Sequence, residues 1–166
     1  MNNWLNYPII SLLFLFLLMV GCGQKKEIHQ PIAYNHALHI EEVGLDCTDC
    51  HTGVETEIKA YLPSIELCQD CHSEMQGESA QEALVVKAVE ENMEIGWLPI
   101  YSLEDHVFFS HRRHVKSAQI PCSTCHGTVE NMEIPPVRQI VPISMEKCMQ
   151  CHDNKSVSND CLTCHV

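Results

Sequence analysis

The chain has 166 residues, with 22 Asp and Glu against 10 Lys and Arg, for a formal net charge of −12. That excess argues against a nucleic-acid binder and suits a basic partner surface or simple solubility. Ten of the 11 cysteines fall into five Cys-x-x-Cys-His motifs and the eleventh closes an apolar N-terminal run, which excludes a disulfide framework.

Residues 1–21 read as an export segment removed from the mature protein. The apolar stretch 8–20 (PIISLLFLFLLMV) is 13 residues long, and a bilayer span needs roughly 20. It ends in LMVGC, which resembles a bacterial lipobox, so Cys22 is the expected lipid-anchored first residue. Met19 at the −3 position and an N-terminus without Lys or Arg depart from that pattern, and an uncleaved anchor is the alternative. Either way, residues 22–166 are expected at the periplasmic side of a membrane, inner or outer left open. They carry the whole charge excess, since 1–21 contains no charged side chain. Their length suggests one domain.

An internal repeat follows. YNHALHIEEVGLDCTDCHTGVE, from Tyr34, matches FSHRRHVKSAQIPCSTCHGTVE, from Phe109, at an offset of 75 residues. The offset pairs His36 with His111, His39 with His114 and His51 with His126. Each copy continues into a second motif, LPSIELCQDCH and then VPISMEKCMQCH, where the offset becomes 80 after an insertion near Pro135 and Pro136. The pseudo-repeats are 31–72 and 106–152, joined by a connector, 73–105, and followed by a tail, 153–166, with the fifth motif. The connector holds the clearest helix signal. Ser79 and Glu82 read as a capping box. Leu84, Val85, Ala88 and Val89 recur at helical spacing, with Gly96 as the expected stop and Pro99 beyond. Elsewhere short helices around each motif and long irregular links are expected, with no convincing strand.

Cys-x-x-Cys-His is the attachment signature of c-type haem: two thiols form thioethers with the haem vinyl groups, and the adjacent His offers a ring nitrogen to the iron. The motifs are Cys47, Cys50 and His51; Cys68, Cys71 and His72; Cys122, Cys125 and His126; Cys148, Cys151 and His152; and Cys161, Cys164 and His165. Zinc needs no His after every second Cys, and a thioredoxin-like site wants one copy in a βαβ setting. Five haem c groups are therefore expected. At one haem per about 29 residues, they form the core of a mainly α fold with much irregular structure: two tandem dihaem modules plus a fifth haem.

The sixth iron ligand decides function, because an iron with two protein ligands shuttles electrons while an open one binds substrate. Of 11 histidines, five are proximal, leaving His29, His36, His39, His106, His111 and His114. His36, His39, His111 and His114 balance the two modules, His106 is the candidate for the fifth haem, and His29 is spare. A Met ligand (Met93, Met132, Met145 or Met149) is the alternative at one haem. With all five irons closed and no Cys-x-x-Cys-Lys motif, a nitrite or hydroxylamine-type reductase is disfavoured.

The Tyr/Phe-x-His-x-x-His element before Cys-x-x-Cys-His resembles the class III multihaem cytochromes c. WLPIY from Trp97, LEDHVFFSH from Leu103, Gly127 after the third motif, Gln30-Pro31-Ile32 and the final CLTCH are similar to the pentahaem subunit of alternative complex III, and to the multihaem subunit of menaquinone reductase complexes. The resemblance implies that His106 is an axial ligand, and that the partners are an iron–sulfur subunit and a polytopic, quinol-handling membrane subunit. It implies electron transfer within a quinol oxidoreductase; a free-standing, membrane-tethered carrier is the alternative.

Overall fold

The computed structural model describes residues 27–165; the expected export segment, 1–21, and Cys22 lie outside the described residues. Short helices are separated by long irregular links, and among the described residues the β pairing is an isolated bridge between Val107 and His165. In chain order come a π-helical turn π1 (Leu38–Glu42), α1 (Cys47–Cys50), α2 (Ile65–His72), α3 (Ala80–Glu90), a second π turn π2 (Arg113–Ser117), α4 (Ser123–His126), α5 (Met145–Asn154) and α6 (Cys161–Cys164). No helix among them is long and apolar enough to cross a membrane.

Each Cys-x-x-Cys stretch sits in or at the start of a helix. The spacing requires it, because residues three apart share a helical face. Local caps start several of these turns: Ser144 Oγ accepts from Lys147 N–H, and Asp160 accepts from Leu162 N–H. Asp49 turns back to accept the N–H of Asp46.

The repeat recurs in backbone detail. Val43 N–H donates to Leu38 O and Ala118 N–H to Arg113 O, closing π1 and π2 at equivalent positions. Leu45 N–H reaches His39 O, and Ile120 N–H reaches His114 O, both at 3.0 Å. Gly44 (φ +83°) and Gln119 (φ +51°) occupy the left-handed region at the same place in each copy. The second copy is tied to the first by Ala37 N–H to Met132 O and His111 N–H to Ile58 O.

The connector helix differs from its expected form in three ways. Ser79 does cap it, accepting from Gln81 N–H, but Glu82 does not return to Ser79; its carboxylate takes the N–H groups of Gln76 and Gly77 instead. The helix ends well before Gly96, because Asn92 adopts φ +50°. Bonds from Met93 N–H to Ala88 O and from Asn92 N–H to Val89 O then close a Schellman motif. Finally, Val85, Ala88 and Val89 pack inward, whereas Leu84 is largely exposed.

Helices α2 and α3 pack on each other over a small cluster of Ile32, Ile65 and Ile95, with Trp97 alongside. Gln30 anchors this corner by a two-way bond to the backbone of Leu98. Val54 is the other buried aliphatic side chain among the described residues, and no large side chain there is fully enclosed. Polypeptide packing alone therefore supplies little of the hydrophobic stabilisation a domain of this size needs.

Candidate functional site

The histidines come together in facing pairs. Ring centroids lie 6.1 Å apart for His39 and His72, 6.4 Å for His111 and His126, 6.2 Å for His114 and His152, and 5.5 Å for His106 and His165. The last three pairs are within 26° of parallel. Rings in direct face contact here are closer: Tyr34 on His39 and Phe109 on His114 both stand at 4.4 Å. Two metal–imidazole bonds of about 2.0 Å each, plus about 1 Å from each ligating nitrogen to its ring centre, give about 6 Å. Burial first, and then neighbouring His51, push the pKa of His36 down to about 4. Burial also lowers the pKa of His111 and His126. The neutral ring so favoured is the form that ligates metal.

Each of these four pairs joins a motif histidine to a non-motif candidate: His39, His106, His111 and His114. His29 stands apart, exposed beside Glu27. His72, His126, His152 and His165 each face a histidine rather than a methionine.

Two devices hold the non-motif rings. First, each π turn directs a ring nitrogen back to the carbonyl four residues earlier: His39 Nδ1 to Asn35 O and His114 Nδ1 to Ser110 O, both at 2.8 Å. Second, one aromatic side chain steadies both rings of a copy. Tyr34 stacks on His39 and meets His36 edge-on at 4.8 Å; Phe109 does the same to His114 and His111, at 4.9 Å from the latter. His106 is brought to His165 by the tail, through Phe108 N–H to Cys164 O at 2.7 Å and the bridge from Val107 to His165. Behind the motif rings, His51 Nδ1 is 3.2 Å from Tyr61 O, His152 Nδ1 is 3.0 Å from Ser158 O, and His72 Nδ1 is 3.1 Å from Glu82 Oε1. The loop behind His51 depends on Gly53 (φ +78°), where a Cβ would stand 2.9 Å from Lys59 O.

Neighbouring thiols show which motifs adjoin. Cys68 is raised by burial and then by Cys50, Cys47 by burial and then by Cys122. Cys125 is raised by burial, Cys151 and Cys148, and Cys148 by burial and Cys164. The first motif thus adjoins the second and the third, the third adjoins the fourth, and the fourth adjoins the fifth. None of the ten described cysteines is in a disulfide.

The residues fit c-type haem. Among the described residues no three His, Cys, Asp or Glu side chains converge as a compact metal site, so a zinc cage is not built, whereas haem iron asks only two ligands of the protein. The Nδ1 atoms of His36 and His111, at equivalent repeat positions, are buried without a protein partner, an arrangement that calls for a bound group or water. Sequence reasoning did not find Glu82 or Tyr61 at the site. Glu82 carried the signature of a helix cap, and Tyr61 acts through its carbonyl, which no side-chain pattern reveals.

Residues 20–97 match the class III cytochrome c family, and residues 107–166 match cytochrome c7 and related cytochromes c. The chain is similar to the multihaem cytochrome c subunit of menaquinone reductase from Nitratidesulfovibrio vulgaris, with 31% identity over 160 aligned residues, 82% of this chain and 76% of the relative. The chain belongs to the class III multihaem cytochrome c family. Multihaem cytochromes of this family bind haem c and transfer electrons, and that is the function of this chain.

Proposed function

We propose that the chain carries five haem c groups and conducts electrons along them in a single row. Thioether bonds form at Cys47 and Cys50, Cys68 and Cys71, Cys122 and Cys125, Cys148 and Cys151, and Cys161 and Cys164. The irons would be held by His36 with His51, His39 with His72, His111 with His126, His114 with His152, and His106 with His165. The observation that carries this reading is the recurrence of facing histidine rings at the spacing of a bis-imidazole metal site. Haem iron supplies one-electron exchange between ferric and ferrous states. The polypeptide sets where that exchange takes place. His36 and His39, three residues apart, belong to adjoining pairs and so lock those pairs together; His111 and His114 do the same in the second copy. With two histidines at every iron, no substrate enters, and the chain performs no bond chemistry of its own.

The architecture is two dihaem modules, 31–72 and 106–152, a connector, 73–105, and a fifth-haem tail, 153–166. The relative in menaquinone reductase supports a place as the haem subunit of a membrane quinone or quinol oxidoreductase resembling alternative complex III. The partners are then an iron–sulfur subunit and a polytopic quinone-handling subunit. Residues 1–21 direct export, and Cys22 tethers the protein to the periplasmic side of a membrane. The LMVGC segment also suits a second reading, a tethered carrier working alone.

Mass spectrometry of the purified protein should show five attached haems, and the mildly solubilised protein should migrate on a native gel with polytopic and iron–sulfur subunits. Fewer haems would refute the five-site assignment. Migration near its own mass would favour the lone carrier.

A further inference from the structure

The histidine pairs are alike in spacing but not in what stands behind them. His39, His51, His114 and His152 each have Nδ1 beside a neutral backbone carbonyl. Of the motif histidines described, only His72 has a carboxylate there, Glu82 Oε1 at 3.1 Å. The contact is enclosed, with the two side chains 19% and 11% exposed. Glu82 is also anchored independently of the ring. Gln76 N–H donates to Oε1 at 2.6 Å, and Gly77 N–H donates to Oε2 at 3.0 Å. It projects from the first turn of α3, so the connector helix itself aims it. The repeat supplies an internal comparison: His152 stands where His72 does, 80 residues later, and the Ser158 carbonyl takes the place of the carboxylate.

A carboxylate accepting the Nδ1 proton gives an imidazole partial imidazolate character. The ring becomes a stronger donor through its other nitrogen and stabilises the more oxidised metal. A neutral carbonyl does this less, because its acceptor bond carries no full charge.

We infer that Glu82 is a positioning and tuning residue for the haem at Cys68 and Cys71, acting through His72 to make that end of the row more reducing than its repeat counterpart at His152. The inference rests on the five-haem reading above. It gives a polarity to two repeat-related sites whose ligands are otherwise the same. Electrons are held less firmly at His72 than at His152, so transfer between the second and fourth motifs runs downhill toward the fourth.

The test is a spectroelectrochemical titration of the full, haem-loaded chain and its Glu82→Gln variant. Gln keeps an acceptor oxygen and removes the charge. One of the five components should move upward by about tenfold in its reduction equilibrium, about 59 mV for a one-electron couple, while the others stay. Glu78→Gln, which removes the same charge from an exposed site in the same loop, should move none. An unmoved titration in Glu82→Gln, or an equal shift in Glu78→Gln, overturns the inference. Electron paramagnetic resonance of the unmodified protein needs no variant: one low-spin haem should show a stronger axial field than the rest, and five equivalent signals would count against it. Haem counting separates the two levels. Five attached haems with unmoved potentials defeat the tuning alone, whereas an empty Cys68 and Cys71 pair defeats the five-haem reading as well.

Discussion

His106 illustrates how little a single residue reveals by itself. It lies outside the two His-x-x-His pairs, and only the histidine count and the resemblance marked it. The structure sets its ring 5.5 Å from His165, because the chain beside it bonds to the last motif. If it closes the fifth iron, His106→Ala opens one coordination position and leaves the other four filled. Carbon monoxide added to the reduced variant should then change the spectrum by about one haem's worth, with no change in the unmodified protein. A silent variant would remove His106 from the ligand set. Glu82 teaches the converse lesson. Ser followed three residues later by Glu is a helix-start pattern, yet the carboxylate bonds more usefully elsewhere, since Gln76, Gly77 and His72 all present donors to it.

Among the elements, the π turns and the connector helix show two ways that local sequence and structure relate. The π turns carry no periodic signature, being one turn long. They exist because His39 and His114 bond back to the carbonyl four residues earlier while the widened backbone closes on Leu38 and Arg113. The left-handed residue after each turn is visible as Gly44 in the first copy but hidden as Gln119 in the second. The connector helix was legible in its start and its partly buried Val85, Ala88 and Val89 face, and illegible in its end. Asn92 tolerates the left-handed conformation and so closes the helix before the glycine that invites it. Ser79 remains the cap, so Ser79→Ala should lower stability by about 1 kcal/mol, read as a shift in the denaturation midpoint. Glu82 should then keep its contact with His72, because its anchors are Gln76 and Gly77. A loss of the haem-specific potential in Ser79→Ala would show that cap and tuning cannot be separated.

For the molecule as a whole, the scarcity of buried side chains is the governing fact. Ile32, Val54, Ile65 and Ile95 are the buried aliphatic residues among those described, and such a set falls well short of the conformational entropy lost by a chain of this length. Many apolar side chains near the motifs, such as Leu162 and Met145, remain exposed in the polypeptide alone. Chain expressed without haem attachment should therefore show no cooperative thermal unfolding transition, whereas the loaded protein unfolds in one. A sharp transition in the haem-free chain would show that the polypeptide supplies its own core. The acidic balance of the chain adds self-repulsion that the fold must also overcome.

The chemistry was written in the sequence because haem attachment is covalent and local: two cysteines and a histidine within five residues are sufficient, wherever the chain goes next. The duplication was legible for the same reason, as a constant offset between ligands. What the sequence left open was contact across distance. Pairing of non-motif and motif histidines and the adjoining of the motifs depend on backbone bonds such as His111 to Ile58 and Phe108 to Cys164, between residues far apart in the chain. No local periodicity encodes those bonds, since each forms only when separate segments have already been brought together by packing. Residue types decided what the site can bind; tertiary structure decided which histidines face each other and in what order the motifs adjoin.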